Sequence, residues 1–161
     1  MIIVSNTTPL IGLASIERFD LLYKLFDKIY ISQAVYQEAV TFGHEIGGAK
    51  QEVSTASWIK TLVVNDRLAV NVLLDELDLG ESETIVLAYE IGANWVLMDE
   101  RKGRRKLSQL GLNKIGTLGI LLKAKQVGII SVIKPEIEKL HKQGFSLSQT
   151  VINTVLNQAG E

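Results

Sequence analysis

The stretch "LGESETIVLAYEIGANWVLMDERKGRR" (Leu79 to Arg105) indicates the fold more clearly than other parts of the chain. Its first half has the length of a helix and ends before Gly92, at the position where a left-handed C-cap favours glycine. A short apolar run, Asn94 to Met98, follows, and a second helix-length segment begins after it. Helices that alternate with short apolar strands are typical of βαβ crossovers, so this stretch predicts a parallel sheet covered by helices.

The same alternation continues on both sides of this stretch. Four more strand candidates are "IIVS" (Ile2 to Ser5), "KIYIS" (Lys28 to Ser32), "WIKTLVV" (Trp58 to Val64) and "NKIG" (Asn113 to Gly116). Helices are predicted near Pro9 to Ile16, Asp20 to Phe26, Gln33 to Val40, Asp66 to Leu77, Glu81 to Ile91, Arg101 to Leu110 and Leu118 to Val127. We therefore predict an α/β fold, a doubly wound sheet of four to five mainly parallel strands flanked by helices.

After Gly128 the alternation ends, and residues 134–159 have the pattern of two helices, with Pro135 near the first start and a break around Gly144. The chain has 161 residues, of which 47% are hydrophobic, and this suits one hydrophobic core. We expect a single domain over 1–161, with its core at about 1–130 and a C-terminal helical pair at about 134–159.

Composition limits the chemistry. Cysteine is absent, so any metal must be held by oxygen or histidine. A net charge of −1 argues against a protein that coats nucleic acid by bulk electrostatics. The apolar start lacks a preceding basic region and is interrupted by Asn6 and Pro9, so it is a poor signal peptide, and no apolar run has transmembrane length. We expect a cytoplasmic protein with no membrane partner.

Polar residues follow two of the predicted strands. Asn6 follows "IIVS", with Thr7 and Thr8 beside it, and Asp99 and Glu100 follow "WVLM". In open parallel sheets, ligands bind beyond the carboxyl ends of the strands, so these residues are candidates for one site. The alternative interpretation is that Asn6 and Asp99 are turn residues or N-caps of the helices that follow.

Three further acids lie on predicted helices. Glu81 and Glu83 stand in the first turn of one helix, where the helix dipole favours carboxylates, and they point about 200° apart. One can be a cap while the other is a ligand. Glu38 lies between apolar positions in "SQAVYQEAV", and by itself it would be ascribed to a solvated helix face.

The densest basic run, "RKGRRK" (Arg101 to Lys106), follows Asp99 and Glu100 and could contact phosphates. Five cations over six helical residues point in all directions, so some are expected to be solvated or paired with nearby acids. Other motifs fail: "GHEIGGAK" (Gly43 to Lys50) lacks the Gly-Lys-Ser/Thr of a P-loop, and no GxGxxG follows the first strand. His44 and His141 lack metal-ligand spacing and are expected at the surface.

Four segments together resemble the successive motifs of PIN domains, in particular a bacterial and archaeal subfamily related to VapC-like toxins. They are "VSNTTPLIGLASI", "SQAVYQEAV", "LGESETIVLAYEIGANWVLMDERKGRR" and "GTLGILLKAK". The resemblance runs from about Ile2 to Gly128 and continues more loosely through the C-terminal helices. It implies a Rossmann-like sheet, an acidic pocket for Mg²⁺ or Mn²⁺, cleavage of an RNA substrate, a homodimer, and a small antitoxin protein as partner.

By position, the resemblance places the family's first acid at Asn6, which is a departure from the pattern. The second acid falls on Glu38, the third on Glu83 with Glu81 as the competing choice, and the fourth on Asp99. The implied metal ligands are Asn6, Glu38, Glu83 and Asp99, and the last three are also the implied catalytic residues. Secondary candidates are Thr7, Thr8, Glu81 and Glu100, and the implied RNA contacts are Arg101, Arg104 and Arg105. The departure at Asn6 motivates the alternative of a non-catalytic member that binds protein or RNA.

Overall fold

The computed structural model describes residues 1–43 and 49–161. In that part of the chain a single sheet contains five strands, all parallel, in the order β3-β2-β1-β4-β5. The strands are β1 (Ile3–Ser5), β2 (Ile29–Ser32), β3 (Ile59–Leu62), β4 (Trp95–Leu97) and β5 (Lys114–Ile115). The order reverses between β1 and β4, which confirms the predicted doubly wound α/β fold.

Helices connect and cover the strands. They are α1 (Thr7–Ser15), α2 (Asp20–Phe26), α3 (Gln33–Tyr36), α4 (Lys50–Thr55), α5 (Arg67–Leu73), α6 (Leu79–Ile91), α7 (Arg101–Gln109), α8 (Thr117–Gln126), α9 (Lys134–Lys142) and α10 (Gln149–Gln158). Gly92 ends α6 in the left-handed conformation with φ 67°, as the sequence predicted.

Three segments differ from the sequence prediction. The helix predicted over Gln33 to Val40 becomes α3 followed by a π-helical turn, Gln37–Thr41, in which the Phe42 N–H donates to the Gln37 carbonyl oxygen. The helix predicted over Asp66 to Leu77 ends earlier, at Leu73. Helix α4 was not predicted, because its six residues carry too short an apolar pattern to mark a helix.

The central strands β1, β2 and β4 are largely buried on both faces, because alternate residues face two different core clusters. On one face Ile3 and Leu97 pack with residues of α1, α8 and α9. On the other face Val4 and Val96 pack with residues of α5, α6 and α7. This double coverage explains why the strands have nearly continuous apolar sequences.

The two C-terminal helices pack on the first of these faces. Buried Glu136 of α9 accepts hydrogen bonds from the Arg18 guanidinium, with Nη2 at 3.0 Å. The Glu161 carboxylate accepts from the Lys125 ammonium at 2.8 Å and from the N–H groups at the start of α9. Among the described residues, no helix combines the length and apolarity needed to cross a membrane.

Candidate active site

The ends of β1 and β4 lie side by side at the reversal of strand order. Ser5 is opposite Leu97 in the ladder, and the Asn6 N–H donates to the Leu97 carbonyl oxygen at 2.9 Å. The Asn6 side-chain amide donates to the Met98 thioether sulfur, with 3.4 Å between Nδ2 and Sδ. The polar residues after the two strands are therefore neighbours, as the strand pattern predicted.

Asn6 occupies the N-cap position of α1 without capping it. Its side chain makes no hydrogen bond to the helix N–H groups. The residue is only 3% exposed, and Oδ1 has no hydrogen-bond partner among the described residues. Leaving a buried acceptor unpaired costs about 1–3 kcal/mol. The capping interpretation is thus not realised at Asn6, and a buried oxygen is left available to a ligand.

Glu38 lies beside the start of α1. The Thr7 hydroxyl donates to Glu38 Oε2 at 2.5 Å. Burial raises the pKa of Glu38, the Thr7 hydrogen bond lowers it, and the nearby carboxylates of Asp78 and Glu83 raise it further. A Cβ on Gly80 would collide with the Glu38 carboxylate, so glycine allows this acid to approach the first turn of α6.

Glu81 stands in the first turn of α6 and is buried. It forms a capping box with Asp78: the Glu81 N–H donates to Asp78 Oδ1 at 2.8 Å, and the Asp78 N–H donates to Glu81 Oε1 at 3.0 Å. Burial raises the pKa of Glu81 to about 7, and the charges of Asp78 and Glu100 act in the same direction. Glu81 is therefore the third-residue member of a capping box, and no cation of the described residues pairs with it.

Glu83 is buried on a different side of α6. Its Oε1 accepts from the Ala34 N–H at 3.0 Å, and its Oε2 accepts from the Arg67 guanidinium at 2.7 Å. Arg67 lies at the start of α5, and its side chain is half exposed. Both oxygens of Glu83 therefore have partners within the protein, and one of those partners is a cation.

Asp99 follows β4 and is held by the start of α8. Thr117 donates to it twice, from its N–H to Oδ1 at 2.8 Å and from its hydroxyl to Oδ2 at 2.7 Å. Burial raises the pKa of Asp99, while the Thr117 hydrogen bonds and the Arg104 charge lower it. The cap that Asp99 provides is thus on α8 and not, as the alternative interpretation had it, on the helix that follows it.

Thr8 and Glu100 lie at the rim of the site. The Thr8 hydroxyl is 3.4 Å from Glu100 Oε1, and Glu100 is exposed. Both residues line a shallow depression that also includes Asp99 and residues 144–146. They can contribute charge or hydrogen bonds at the entrance to the site.

The three predicted RNA contacts of α7 have different surroundings. Arg104 turns toward the sheet edge and donates to the Met98 carbonyl oxygen at 2.9 Å. Arg105 lies 3.7 Å from the exposed Glu76 carboxylate, which Lys106 also approaches, and Arg101 is exposed. The expected pairing of part of this run with nearby acids is confirmed.

The donor chemistry at this edge fits a hard divalent cation, which prefers oxygen ligands. Glu38, Glu81 and Asp99 have a pKa raised by burial, and none of them forms an ion pair with a cation of the described residues. The unpartnered Oδ1 of Asn6 adds a neutral oxygen. Within residues 1–43 and 49–161, however, no three acidic or histidine side chains already form a metal-binding group. A coordination shell would have to close around the ion.

Two functional partners escaped the sequence analysis. Thr117 holds Asp99, and it could have been found by applying the strand-end rule to the fifth strand, which ends at Ile115. Arg67 compensates Glu83 across a gap of 16 residues, and no sequence pattern connects the two. His141 is exposed, as expected, whereas His44 lies outside the described residues.

Comparison with known proteins identifies the family of this fold and site. A family model described as a PIN domain matches residues 2–161. A search of curated proteins gives no match. The chain therefore belongs to the PIN domain family, whose members are in general nucleases.

Proposed function

We propose that the protein is an endoribonuclease that depends on Mg²⁺ or Mn²⁺. The observation that carries the proposal is the set of three carboxylates without an ion pair among the described residues, namely buried Glu81 and partly buried Glu38 and Asp99, together with buried Asn6 Oδ1. A buried carboxylate without a countercharge is unfavourable, and a divalent cation at this position removes that cost. Members of the PIN domain family are in general nucleases, which supports the same conclusion.

The residues that would hold the ion are Asn6, Glu38 and Asp99, with a third acid from the first turn of α6. When bound, the cation supplies an activated water and neutralises negative charge on the scissile phosphate. Thr117 fixes the orientation of Asp99, and Thr7 orients Glu38. The Glu38 carboxylate, oriented by Thr7, is placed among these groups and can accept the proton of the attacking water.

Arg104 is placed to contact the RNA backbone beside this centre. Its hydrogen bond to the Met98 carbonyl oxygen fixes the guanidinium close to Asp99, whose pKa it lowers. Arginine in this position can orient a phosphate and stabilise charge that develops on its oxygens. Arg101 and Arg105 remain further candidates along the same helix.

The third acid is either Glu83 or Glu81. The family pattern favours Glu83, but ligation by Glu83 would have to compete with Arg67 and the Ala34 N–H. In the described part of the chain, the Glu81 side chain accepts one hydrogen bond, from the Asp78 N–H, and has no cation partner. These contacts favour Glu81 as the ligand. Glu83 would instead have a structural role, because its charge is compensated by Arg67.

The test is cleavage of a mixed RNA panel with Mn²⁺, together with thermal melting. Asp99→Asn should abolish cleavage and leave the fold intact, because it removes charge from the cation site. Glu83→Gln and Glu81→Gln are compared in the same assay, and the variant that loses activity identifies the third ligand. Asp75→Asn, at an exposed position, is the matched control. Full activity of Asp99→Asn would overturn the site.

A second candidate function is a non-catalytic PIN protein that acts by binding protein or RNA. Asn6 favours it, since an amide brings no charge where the family pattern has an acid, and so does the lack of a preformed acidic group among the described residues. Calorimetric titration with Mn²⁺ separates the two candidates. Binding at physiological concentration supports the enzyme, and no binding supports the interaction module.

We further propose a cytoplasmic toxin that acts as a homodimer and is inhibited by a small antitoxin protein. This rests on the resemblance of the motifs to VapC-like toxins. Expression of the chain alone should arrest growth, and co-expression of a neighbouring small open reading frame should restore it. Growth arrest that persists in Asp99→Asn would separate toxicity from nuclease activity.

A further inference from the structure

A cleft of about 450 Å³ has Asp99 in its lining, whereas the other proposed ligands of the cation, Asn6, Glu38 and Glu81, do not line it. One part of its lining is polar and includes Arg104 and Lys114, and another part is apolar and includes Phe145, Leu147 and Val151. These apolar residues come from the linker between α9 and α10 and from the first turn of α10. The C-terminal helical pair therefore contributes a wall next to the reaction centre.

The cleft reaches Asp99 because a glycine stands between them. A Cβ on Gly116 would lie 2.8 Å from Asp99 Oδ1 and 3.4 Å from the Arg104 guanidinium. These distances are too short for an unstrained contact, so any larger residue would displace one of these two groups. A molecule in the cleft can thus approach Asp99 directly.

The apolar wall is fixed relative to the site. The ring of Phe145 packs against Gly12 of α1, where a Cβ would lie 2.7 Å from Cζ. Helix α1 begins directly after Asn6. Helix α1 therefore has the proposed ligand Asn6 at its N-cap and contacts Phe145 through Gly12. This shared helix fixes the position of the apolar wall relative to the cation site.

We propose that this cleft is a nucleotide subsite, in which a base of single-stranded RNA lies against Phe145 and Val151 while the adjoining phosphate contacts Arg104 and Lys114. The proposal rests on the ribonuclease function proposed above and names its substrate class. A polyanion with flat apolar bases matches a cleft with two cations and an apolar wall. The volume falls in the range of roughly 300–1,000 Å³ of small-molecule sites. Bases within a duplex are stacked and cannot enter such a cleft.

The first test measures binding of a labelled single-stranded oligoribonucleotide without divalent cations, so that binding is observed apart from cleavage. Val151→Asp should weaken binding by roughly tenfold, because the base loses an apolar contact beside Phe145 and the new carboxylate repels the RNA phosphates. The control is Val132→Asp, because Val132 and Val151 are both 49% exposed and Val132 does not line the cleft. An acid in the first turn of α10 is compatible with the helix dipole, so the variant should fold.

The polar side of the cleft is tested by Lys114→Gln. The log–log salt dependence of binding should flatten by about 0.7, the value for one phosphate contact with a single strand. Lys123→Gln is the control, since Lys123 is exposed on α8 and does not line the cleft. Duplex RNA of the same sequence should bind equally to wild type and both variants.

A crosslinking experiment locates the base directly. No Lys or Arg follows Lys142, so trypsin releases residues 143–161, with Phe145 and Val151, as one peptide. An oligonucleotide with 4-thiouridine should crosslink to this peptide under ultraviolet light. Crosslinks confined to other peptides would overturn the proposal.

The remaining outcomes separate the subsite from the function. If the wild type cleaves RNA while Val151→Asp and Lys114→Gln bind it as their controls do, the subsite is wrong and the nuclease stands. If the wild type neither binds nor cleaves any RNA, both proposals fall. If Val151→Asp changes the oligomeric state but not RNA binding, the cleft is an interface between copies of the chain, and the RNA assignment is overturned.

Discussion

Two regions of this protein compensate the charge of their carboxylates in different ways. In the C-terminal seam, defined by the contacts of Glu136 and Glu161, each acid meets a cation: Arg18 lies 3.0 Å from Glu136, and Lys125 lies 2.8 Å from Glu161. At the strand edge, Glu38 and Asp99 receive hydrogen bonds from the neutral donors Thr7 and Thr117. Among the described residues neither has an ion pair.

The difference shows which acids are structural. The carboxylates of Glu136 and Glu161 meet Arg or Lys, so their charge is compensated within the folded chain and needs no cation from solution. The partly buried carboxylates of Glu38 and Asp99 receive hydrogen bonds from neutral donors, and burial raises their pKa, so they gain most from a cation taken from solution. Glu83 lies near the strand edge but resembles Glu136 and Glu161, because it forms an ion pair, with Arg67.

The largest expected effect comes from exchanging one acid for its amide in each region. Glu38→Gln should reduce RNA cleavage by roughly 100-fold or more, because it removes the proposed proton acceptor. Its Tm should stay constant or rise. Glu136→Gln should leave cleavage unchanged but cost about 1 kcal/mol, since it weakens the contact with half-exposed Arg18. Cleavage rates and melting curves of both variants test this prediction. Equal losses of activity would show that the two regions do not differ in function.

Asn6→Asp should add another carboxylate without a cation partner to the strand edge. The variant supplies a full negative charge where the wild type has an amide oxygen, so it should bind Mn²⁺ roughly tenfold more tightly and cleave RNA faster. Calorimetric titration of both proteins measures the change. The variant also loses the hydrogen bond from Nδ2 to Met98. If it melts earlier without binding Mn²⁺ more tightly, the amide is structural and Asn6 is not a ligand.

Arg67→Met should remove the cation that pairs with Glu83 and leave this carboxylate with a neutral donor only, as at Glu38 and Asp99. The buried Glu83 carboxylate would keep the Ala34 N–H but lose its cation, at a cost of about 1–2 kcal/mol given the half-exposed arginine. A loss of this size lowers Tm by several degrees in a chain of this length. Arg105→Met, at an exposed ion pair, is the control. Equal melting of the two variants would contradict the assigned role of Arg67.

The smallest expected effect is a pH dependence in the seam. The hydrogen bond from Lys125 and the N–H of Ile133 hold the pKa of Glu161 below its ordinary value of 4.5. A lowered folded-state pKa contributes stability above pH 4.5, and that stability is lost as the pH falls through the folded-state value. The Tm difference between wild type and Glu161→Gln should thus be present at neutral pH and disappear on acidification. Glu138→Gln, exposed on α9, should show no such change.

Most of the fold could be predicted from the sequence, because burial on both faces gives parallel strands such as β1 and β4 a continuous apolar pattern. The prediction failed where tertiary contacts decide the local structure. The π-helical turn Gln37–Thr41 shifts the helix register at Glu38, and no residue pattern marks such a turn. Helix α4 is too short for its apolar periodicity to be seen.

The candidate site was predictable in its residues more than in its contacts. The strand-end rule identified Asn6 and Asp99, because topology brings strand ends together. The rule could not assign partners, since the Thr117 and Arg67 contacts depend on how α8 and α5 pack. The two glutamates of α6 show this limit. Helical geometry predicted that Glu81 and Glu83 point in different directions, but it did not predict that Glu81 belongs to the capping box and that Glu83 pairs with Arg67.

The pairing of β1 with β4 has a consequence for the order of assembly. The contact between Asn6 and Met98 joins positions 92 residues apart, so one side of the site is synthesised well before the other. Contacts of such separation form slowly, because a long loop must close first. Asp99 also needs Thr117, which emerges later still. A nascent chain on the ribosome therefore lacks the assembled site until translation has passed β5.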